Sequence, residues 1–226
     1  MSFARFSLQS VMEELKLKTK YITLDSRSRL YGLRKPIVGL TGGIASGKST
    51  TSNYLKKLGF KIIDADSLIH EIYNEKQTID FVKELSGSSV TNNSINFKKL
   101  REEFFSNPKL KFSLETFLYK RLPEVFNNKV KEHSDQDFII YDVPLLFEKG
   151  LDEFVDVNIC VYTTEQNQLK RLIQRDGTDE KLAQEILKSQ LNIEAKKEKS
   201  QFILNNTSNL SQLETEIQLL TELLFE

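Results

Sequence analysis

The sequence has few of the features that mark secreted, membrane-spanning or nucleic-acid-coating proteins. A single cysteine, Cys160, excludes an intramolecular disulfide and is compatible with a reducing compartment. No apolar run approaches the ~20 residues that a bilayer span needs, so we expect a soluble protein with no membrane partner. The 32 basic and 32 acidic residues balance to zero, which argues against a nucleic-acid partner bound over the whole surface. These absences favour a cytoplasmic protein.

The first 35 residues form an N-terminal extension whose role the sequence leaves open. Basic and hydroxyl residues occur there with apolar residues at helical spacing, as in mitochondrial transit peptides: Leu8, Val11, Met12 and Leu15. Transit peptides are poor in acidic residues, whereas this segment contains Glu13, Glu14 and Asp25. We therefore favour an ordinary extension, with mitochondrial targeting as the alternative.

One motif carries specific chemistry. The segment Gly42-Gly-Ile-Ala-Ser-Gly-Lys-Ser49 satisfies the phosphate-loop pattern Gly-x-x-x-x-Gly-Lys-[Ser/Thr], and it lies between an apolar strand pattern and a helical one. Glycines let successive backbone N–H groups face one anion, and the helix N-terminus adds partial positive charge. Lys48 would reach the terminal phosphates, and Ser49 would bind magnesium. The alternative is a glycine turn that only caps a helix.

Apolar runs and helical patterns alternate along the chain, which predicts an α/β fold with a parallel sheet. We predict strands at 37–40, 60–63, 138–141, 154–162 and 202–204, and helices at 49–58, 165–175, 179–191 and 210–224. Residues 67–131 read as helical, with breaks at 87–96 and 107–108. Their large apolar residues are interpreted as core: Leu100, Phe104, Phe105, Leu114, Phe117 and Leu118. Cys160 is interpreted as a small buried hydrophobe.

Two carboxylates follow the second predicted strand. Asp64 and Asp66 close that strand, next to the phosphate loop, where ligands collect at the carboxyl ends of a parallel sheet. If the segment is extended, side chains two residues apart share one face and both carboxylates would point at the site. One of them could then accept the proton of an acceptor hydroxyl. The alternative is that an aspartate caps the following helix, and for Asp64 the two interpretations stay open.

A regulatory GTPase is disfavoured, because the guanine-reading pattern Asn-Lys-x-Asp is absent. Residues Asn128-Lys-Val-Lys131 lack the aspartate, and the strand ending at Asp142 continues with Val-Pro instead of a glycine. A metabolite kinase remains, since phosphoryl transfer needs positioning, a metal ion, positive charge and an oriented acceptor. No base-reading motif distinguishes ATP from GTP.

Several motifs together resemble the dephospho-coenzyme A kinase family. They are the phosphate loop, Ile63-Asp-Ala-Asp66, Phe105-Ser-Asn-Pro108, Asp142-Val-Pro-Leu-Leu-Phe-Glu148 and Leu169-Lys-Arg-Leu-Ile-Gln-Arg-Asp176. The resemblance implies a P-loop NTPase three-layer sandwich with a five-stranded parallel sheet. It further implies a core of 36–66 and 137–226 within a kinase domain of 36–226, a helical substrate-binding insertion over 67–132 and a helical lid over 171–196.

The resemblance also implies an activity, ATP- and Mg²⁺-dependent phosphorylation of the ribose 3′-hydroxyl of dephospho-CoA, the last step of coenzyme A synthesis. Asp66 would be the general base, Pro144 and Leu145 would shape the acceptor wall, and Asp142 would bind magnesium through water or cap a helix instead. The nucleotide would contact the loop and Asn206, with the loop contribution from Gly43, Ile44, Ala45, Ser46, Gly47, Lys48, Ser49 and Thr50.

Arg171 and Arg175 lie four residues apart on one predicted helix face. They would close over the phosphates as catalytic lid cations together with Lys48. The alternative is a solvated basic face that pairs with Asp176 and Asp179.

The chain departs from the family pattern at Leu122-Pro123, where the family commonly has His-Pro. The functional alternatives are another P-loop nucleoside or nucleotide kinase and a non-catalytic nucleotide-binding module. We expect a monomer or weak homo-oligomer with a small-molecule substrate.

Overall fold

The computed structural model describes residues 15–226. The predicted helical spacing over residues 8–12 lies outside the described residues. The chain divides into two compact units, one made of the chain up to Ile63 together with His133–Glu226, the other of Asp64–Glu132. No helix in the described part is long and apolar enough to cross a membrane.

Strands and helices alternate along the described residues. The strands are β1 (Ile37–Gly42), β2 (Ile62–Asp64), β3 (Val90–Thr91), β4 (Ser94–Ile95), β5 (Ile139–Asp142), β6 (Val157–Tyr162) and β7 (Phe202–Asn205). The helices are α1 (Lys48–Lys57), α2 (Ala65–Asn74), α3 (Lys76–Leu85), α4 (Phe97–Ser106), α5 (Pro108–Glu132), α6 (Glu165–Asp176), α7 (Glu180–Lys188), α8 (Ile193–Lys199) and α9 (Leu210–Leu224). Every predicted strand and helix of the α/β pattern is present, with shifted ends.

The core of the first unit is a five-stranded parallel sheet in the order β2-β5-β1-β6-β7. All six residues of β1 and all six of β6 are buried, as expected for strands covered on both faces. The strands pair in parallel register, with Leu40 opposite Asp142 on one side and Ile159 on the other. This arrangement brings the carboxyl ends of β1 and β5 side by side.

Two predicted strands begin later than expected. The N–H of Phe60 donates to the carbonyl of Leu55, so Phe60 closes the turn after α1 and β2 starts at Ile62. Residues Leu151–Phe154 form a 3₁₀ turn, and β6 starts at Val157. Phe60 and Val155 are buried although they lie outside the strands, whereas Phe154 is 42% exposed.

The expectation that β2 lies directly beside the phosphate-loop strand is wrong. Strand β5 lies between β1 and β2. The sequence of the first strand–helix–strand unit fixes the hand of the crossover, not the number of positions it skips. The strand next to the loop is therefore the one that ends in Asp142.

The predicted helix over residues 179–191 is interrupted. Helix α7 ends at Lys188, and Asn192 caps α8 by accepting a hydrogen bond from the N–H of Glu194 at 2.8 Å. Leu191 thus lies in the turn between the two helices, hereafter the lid turn (residues 189–192). An asparagine N-cap competes with continued helix because its side chain replaces a helical backbone acceptor.

The second unit is built from helices α2–α5 and the β3–β4 hairpin. Helix α5 buries a stripe at helical spacing made of Leu110, Leu114, Leu118, Leu122, Phe126 and Val130. Leu122, at the position of the family histidine, is therefore a core residue of this unit. The rings of Phe81 and Phe117 stack at 4.3 Å. The interpretation of Phe105 as core is wrong, because its side chain is 69% exposed.

Residues 15–35 pack on the first unit. Arg29 is buried and donates to Asp156 through Nε (2.7 Å) and Nη2 (2.9 Å). Asp156 also accepts from the N–H of Ile37 at 2.8 Å, at the amino end of β1. Burial acts to raise the pKa of Asp156, but the hydrogen bonds from Arg29, Ile37 and Leu24 bring it below its ordinary value. A second tie is the antiparallel bridge between Leu17 and Phe225, both in the core.

Candidate active site

The phosphate loop connects β1 to α1, in the strand–loop–helix context that the motif predicts. The strand ends at Gly42 and the helix begins at Lys48. Gly47, the residue before the helix, has a left-handed backbone (φ 102°), and Ala45 is also left-handed (φ 57°). These reversals wrap the chain tightly, so that the loop opens directly onto the N-terminus of α1, where helix geometry favours an anion.

Side chains from α6 and from the end of β7 hold the loop from one side. Gln168 donates to the carbonyl of Ile44 at 2.6 Å, and Asn206 donates to the carbonyl of Ser46 at 2.7 Å. In a trans peptide the next N–H points the opposite way, so the N–H groups of Ala45 and Gly47 face away from these two amides. The side-chain amides of Gln168 and Asn206, hereafter the anchors, thereby turn the N–H groups of Ala45 and Gly47 toward the side of the loop that faces away from them.

The glycines give these anchors room. A Cβ on Gly43 would overlap the amide of Gln168, and a Cβ on Gly47 would overlap the amide of Asn206. Gly47 is also restricted by its left-handed backbone. Gly43 and Gly47 thus leave the space that the side-chain amides of Gln168 and Asn206 occupy. Gln168 had no sequence signal, since a glutamine on a helix face matches no motif.

Lys48 and Asp142 form an ion pair beside the loop. Ser52, one turn into α1, donates to the other oxygen of Asp142 at 2.6 Å, and Asp142 is 2% exposed. No helix begins after Asp142, where the chain enters a turn, so the capping alternative is wrong. The Asp142 carboxylate instead holds Lys48 at the first turn of α1.

The structure separates the two arginines of α6. Arg171 donates to the carbonyl of Asn206 at 3.0 Å and to that of Ser46 at 3.4 Å, which brings its guanidinium to the phosphate loop. Arg175 instead pairs with Asp176 at 2.6 Å with its side chain 58% exposed. The hydrogen bond from Arg175 holds the pKa of Asp176 below its ordinary value. The spacing of four residues correctly predicted that Arg171 and Arg175 share a helix face, but the two side chains bind different partners.

The segment after β5 contributes Pro144 and Leu145, both half-buried. The carbonyl of Pro144 accepts from the hydroxyl of Thr41 at 3.2 Å, which ties the segment to β1. Gln190 contributes a further contact to this region. It lies in the lid turn and accepts from the N–H of Ile44 at 3.0 Å. This contact links the lid turn to the phosphate loop.

Asp64 and Asp66 belong to the start of α2, in the second unit. Asp64 is the N-cap and accepts from the N–H of Ser67 at 2.9 Å, so the capping alternative describes it. Asp66 is an exposed residue in the first turn of the helix. The premise of an extended segment is wrong because α2 begins at Ala65. The two carboxylates therefore differ in local role.

Cys160 takes no part in this chemistry. It is fully buried in β6, and this burial raises the pKa of the thiol to about 11. The interpretation as a small buried hydrophobe is confirmed. A thiol held protonated at neutral pH is a poor nucleophile.

The oxygen and nitrogen groups around the loop suit a nucleoside triphosphate. The helix N-terminus and the cations Lys48 and Arg171 complement a polyphosphate, and the exposed Ser49 lies in the first turn of α1. In the part of the chain that the structure describes, no group of three or more His, Cys, Asp or Glu side chains could hold a metal ion.

The chain matches known proteins over most of its length. The sequence model of the dephospho-CoA kinase family matches residues 36–212. Dephospho-CoA kinase of Fusobacterium nucleatum is 40% identical over 181 residues, which cover 78% of this chain and 92% of that protein. Dephospho-CoA kinase of Staphylococcus aureus (strain N315) is 31% identical over 190 residues, covering 82% of this chain and 92% of that protein.

Solved structures share the fold. A Thermus thermophilus protein superposes with a TM-score of 0.72 at 28% identity, covering 84% of this chain and 98% of its own. Dephospho-CoA kinase from Campylobacter jejuni superposes with a TM-score of 0.62 at 29% identity, covering 82% of this chain and 95% of its own. Since sequence and structure agree over the region that contains the phosphate loop, Asp142 and Arg171, the chain belongs to the dephospho-CoA kinase family.

Proposed function

We propose that this protein is a dephospho-CoA kinase, which transfers the terminal phosphoryl group of ATP to the ribose 3′-hydroxyl of dephospho-CoA and so completes coenzyme A synthesis. The observation that carries the proposal is the phosphate loop with Lys48 and Arg171 beside it, in a chain whose relatives are named for this activity. We further propose that the protein acts in the cytoplasm as a monomer or weak homo-oligomer.

The donor half follows from charge and geometry. Backbone N–H groups of the loop and the N-terminus of α1 would bind the triphosphate, and Arg171 would add positive charge at the edge of the loop. Lys48 would exchange Asp142 for the terminal phosphates, which are anionic like the Asp142 carboxylate. These preorganised cations would stabilise the charge on the transferring group. Asn206 would act by fixing the loop, and its predicted contact with the base is part of the proposal.

Magnesium would be held by the Ser49 hydroxyl, with Asp142 acting through water once Lys48 has turned to the phosphates. When bound, the ion neutralises and aligns phosphate oxygens. Asp142 then has a second use, because a carboxylate that releases Lys48 remains buried beside Ser52.

The acceptor half rests on Asp66 as general base and on Pro144 and Leu145 as the wall against which the acceptor lies. Asp66 is an exposed acidic residue in the first turn of α2, where Asp64 is the N-cap. A carboxylate base would take the 3′-hydroxyl proton as that oxygen attacks the phosphoryl group. Residues 67–132 would form the substrate-binding insertion, and 171–196 the lid.

A coupled assay of nucleoside diphosphate release tests the acceptor substrate and the nucleotide donor together. The full chain is assayed with ATP or GTP against dephospho-CoA, nucleosides and nucleoside monophosphates. We expect turnover with dephospho-CoA, and turnover only with a nucleoside or nucleotide acceptor would contradict the proposal. Nucleotide binding without any turnover would favour the non-catalytic alternative.

The neighbouring aspartates provide a matched pair of variants. Asp66→Asn should lower kcat by roughly 10²-fold or more through loss of the base. Asp64→Asn should change kcat by less than about threefold, because asparagine caps a helix about as well as aspartate. Equal activities of the two variants would remove Asp66 as the base.

A further inference from the structure

A wholly buried lysine lies in the first unit. Lys196, on α8, has 0% exposure, and its Nζ donates to Oε1 of Glu148 at 2.8 Å and to the carbonyl of Pro144 at 2.7 Å. The Glu148 side chain is 19% exposed. Burying an ammonium group carries a large desolvation cost, and a buried ion pair seldom repays it as net stability. The Lys196–Glu148 pair is therefore better explained by the chain segments that it holds in place than by a gain in stability.

The pair joins the two chain segments that flank the phosphate loop. Pro144 and Glu148 belong to the segment that follows Asp142, the partner of Lys48. Oε1 of Glu148 also accepts from the N–H of Leu191 in the lid turn at 2.9 Å. The adjacent Gln190 accepts from the N–H of Ile44 in the loop. The lid turn is thus tied at one point to the loop and at the next to the Glu148 segment.

We infer that Lys196 and Glu148 form a positioning link, which holds the Pro144–Leu145 wall at a fixed distance from the lid turn and so determines how tightly the acceptor is bound. This inference rests on the proposed function. The Lys196 ammonium fixes the backbone at Pro144 directly, and Glu148 transmits that constraint to Leu191. A misplacement of the wall by a fraction of an ångström would weaken acceptor binding more than donor binding.

The chain contains a matched structural pair. Arg29 and Asp156 are as deeply buried as Lys196, but they join the amino ends of β1 and β6, at the opposite end of the sheet strands from the loop. Loss of either pair should lower stability. Only loss of the Lys196 link should alter acceptor recognition.

The test compares Lys196→Met, Glu148→Ala, Glu148→Gln, the double variant Lys196→Met/Glu148→Ala and Arg29→Met. Rates are measured at a temperature below the melting temperature of the least stable variant. Dephospho-CoA is varied at saturating ATP, and in a second series ATP is varied at saturating dephospho-CoA. In Lys196→Met and Glu148→Ala, KM for dephospho-CoA should rise on the order of tenfold while KM for ATP changes less than about twofold. The double variant should match the single ones, because both remove one link. Glu148→Gln should stay within about threefold of wild type, since its amide oxygen still accepts from Leu191 and Lys196.

Arg29→Met should lower the melting temperature without changing either KM. The inference is overturned if Lys196→Met and Glu148→Ala behave in the same way, or if both KM values change equally. If Lys196→Met fails to fold, Glu148→Ala decides, because its side chain is partly exposed. A wild-type protein that turns over a different acceptor would overturn the proposed function alone, and the same variants would then be compared for KM of that acceptor.

Discussion

At the scale of single residues, Lys48 pairs with the buried Asp142 and, under the proposed function, also binds the terminal phosphates. Lys48→Ala should lower kcat/KM by at least on the order of 10²-fold, because a preorganised cation is lost from the transferring phosphoryl group. It should also cost about 3 kcal/mol of stability, since Asp142 stays buried without its cation. Coupled-assay kinetics and urea unfolding measure the two effects.

The control for Lys48 is Lys61→Ala. Lys61 pairs with Asp135 on the surface, where both side chains are more than a third exposed. We expect unchanged kinetics and a stability change below about 1 kcal/mol. A Lys48→Ala protein that kept the wild-type rate would exclude Lys48 from phosphoryl transfer.

Cys160 makes stability sensitive to alkaline pH. Its pKa is raised from 9.0 to about 11, so between these values the unfolded chain loses the thiol proton while the folded chain keeps it. Stability must therefore fall as pH rises through this window. From pH 8 to pH 10 the wild type should lose about 1 kcal/mol more than Cys160→Ala, as measured by urea unfolding. Parallel pH profiles of the two proteins would contradict this expectation.

Residue roles were predictable where they depend on local sequence. The buried state of Cys160 follows from its apolar neighbours, and the loop residues follow from their motif. The Lys48–Asp142 pair depends instead on β5 lying beside β1, which involves residues about a hundred positions apart. The different roles of Asp64, the N-cap, and Asp66, in the first turn, depend on the residue at which α2 begins. A sequence pattern does not fix the first residue of a helix to within one or two positions.

At the scale of elements, α6 presents one arginine to the loop and one to solvent. Arg171→Ala should raise KM for ATP by roughly tenfold, because a charged hydrogen-bonding group is lost beside the phosphates. Arg175→Ala should leave KM for ATP within about twofold, since its partner Asp176 is on the surface. Steady-state kinetics with varied ATP distinguish them, and a larger effect at Arg175 would show that the lid brings that residue in during turnover.

The bounds of helices were predicted best where the apolar residues repeat at helical spacing over a long segment. Helices α6 and α9 match the predicted ranges within a residue. The break between α7 and α8 was missed, because Leu191 continues the apolar spacing although α7 ends at Lys188 and Asn192 caps the next helix. That short break carries Gln190, which accepts a hydrogen bond from the N–H of Ile44 in the phosphate loop.

At the scale of the whole molecule, residues 15–35 and 213–226, which lie outside the family match, form part of the fold. Leu17 and Phe225 both lie outside residues 36–212, and they bridge to each other. Arg29 lies in the same N-terminal region and joins Asp156. The sequence left this extension without a role, because Leu17 and Arg29 contact residues more than a hundred positions away.

Two arginines in this region provide a matched comparison. Arg29→Met should lower the free energy of unfolding by roughly 3–5 kcal/mol, because Asp156 is left as a buried, unpaired carboxylate. Arg27→Met should change it by less than about 0.5 kcal/mol, since Arg27 is 92% exposed and pairs with Asp25 on the surface. Urea unfolding at neutral pH measures both. Equal values for the two variants would mean that the extension contributes nothing to stability.

The space reserved at Gly43 has an evolutionary consequence. Because the Gln168 amide occupies the volume that a Cβ on Gly43 would need, the fitness effect of a substitution at either position depends on the residue at the other. Alanine at Gly43 would have to displace the Gln168 amide, and that displacement would remove the donor of the Ile44 carbonyl. The residue tolerated at position 43 therefore depends on the residue at position 168, so the two positions are epistatic.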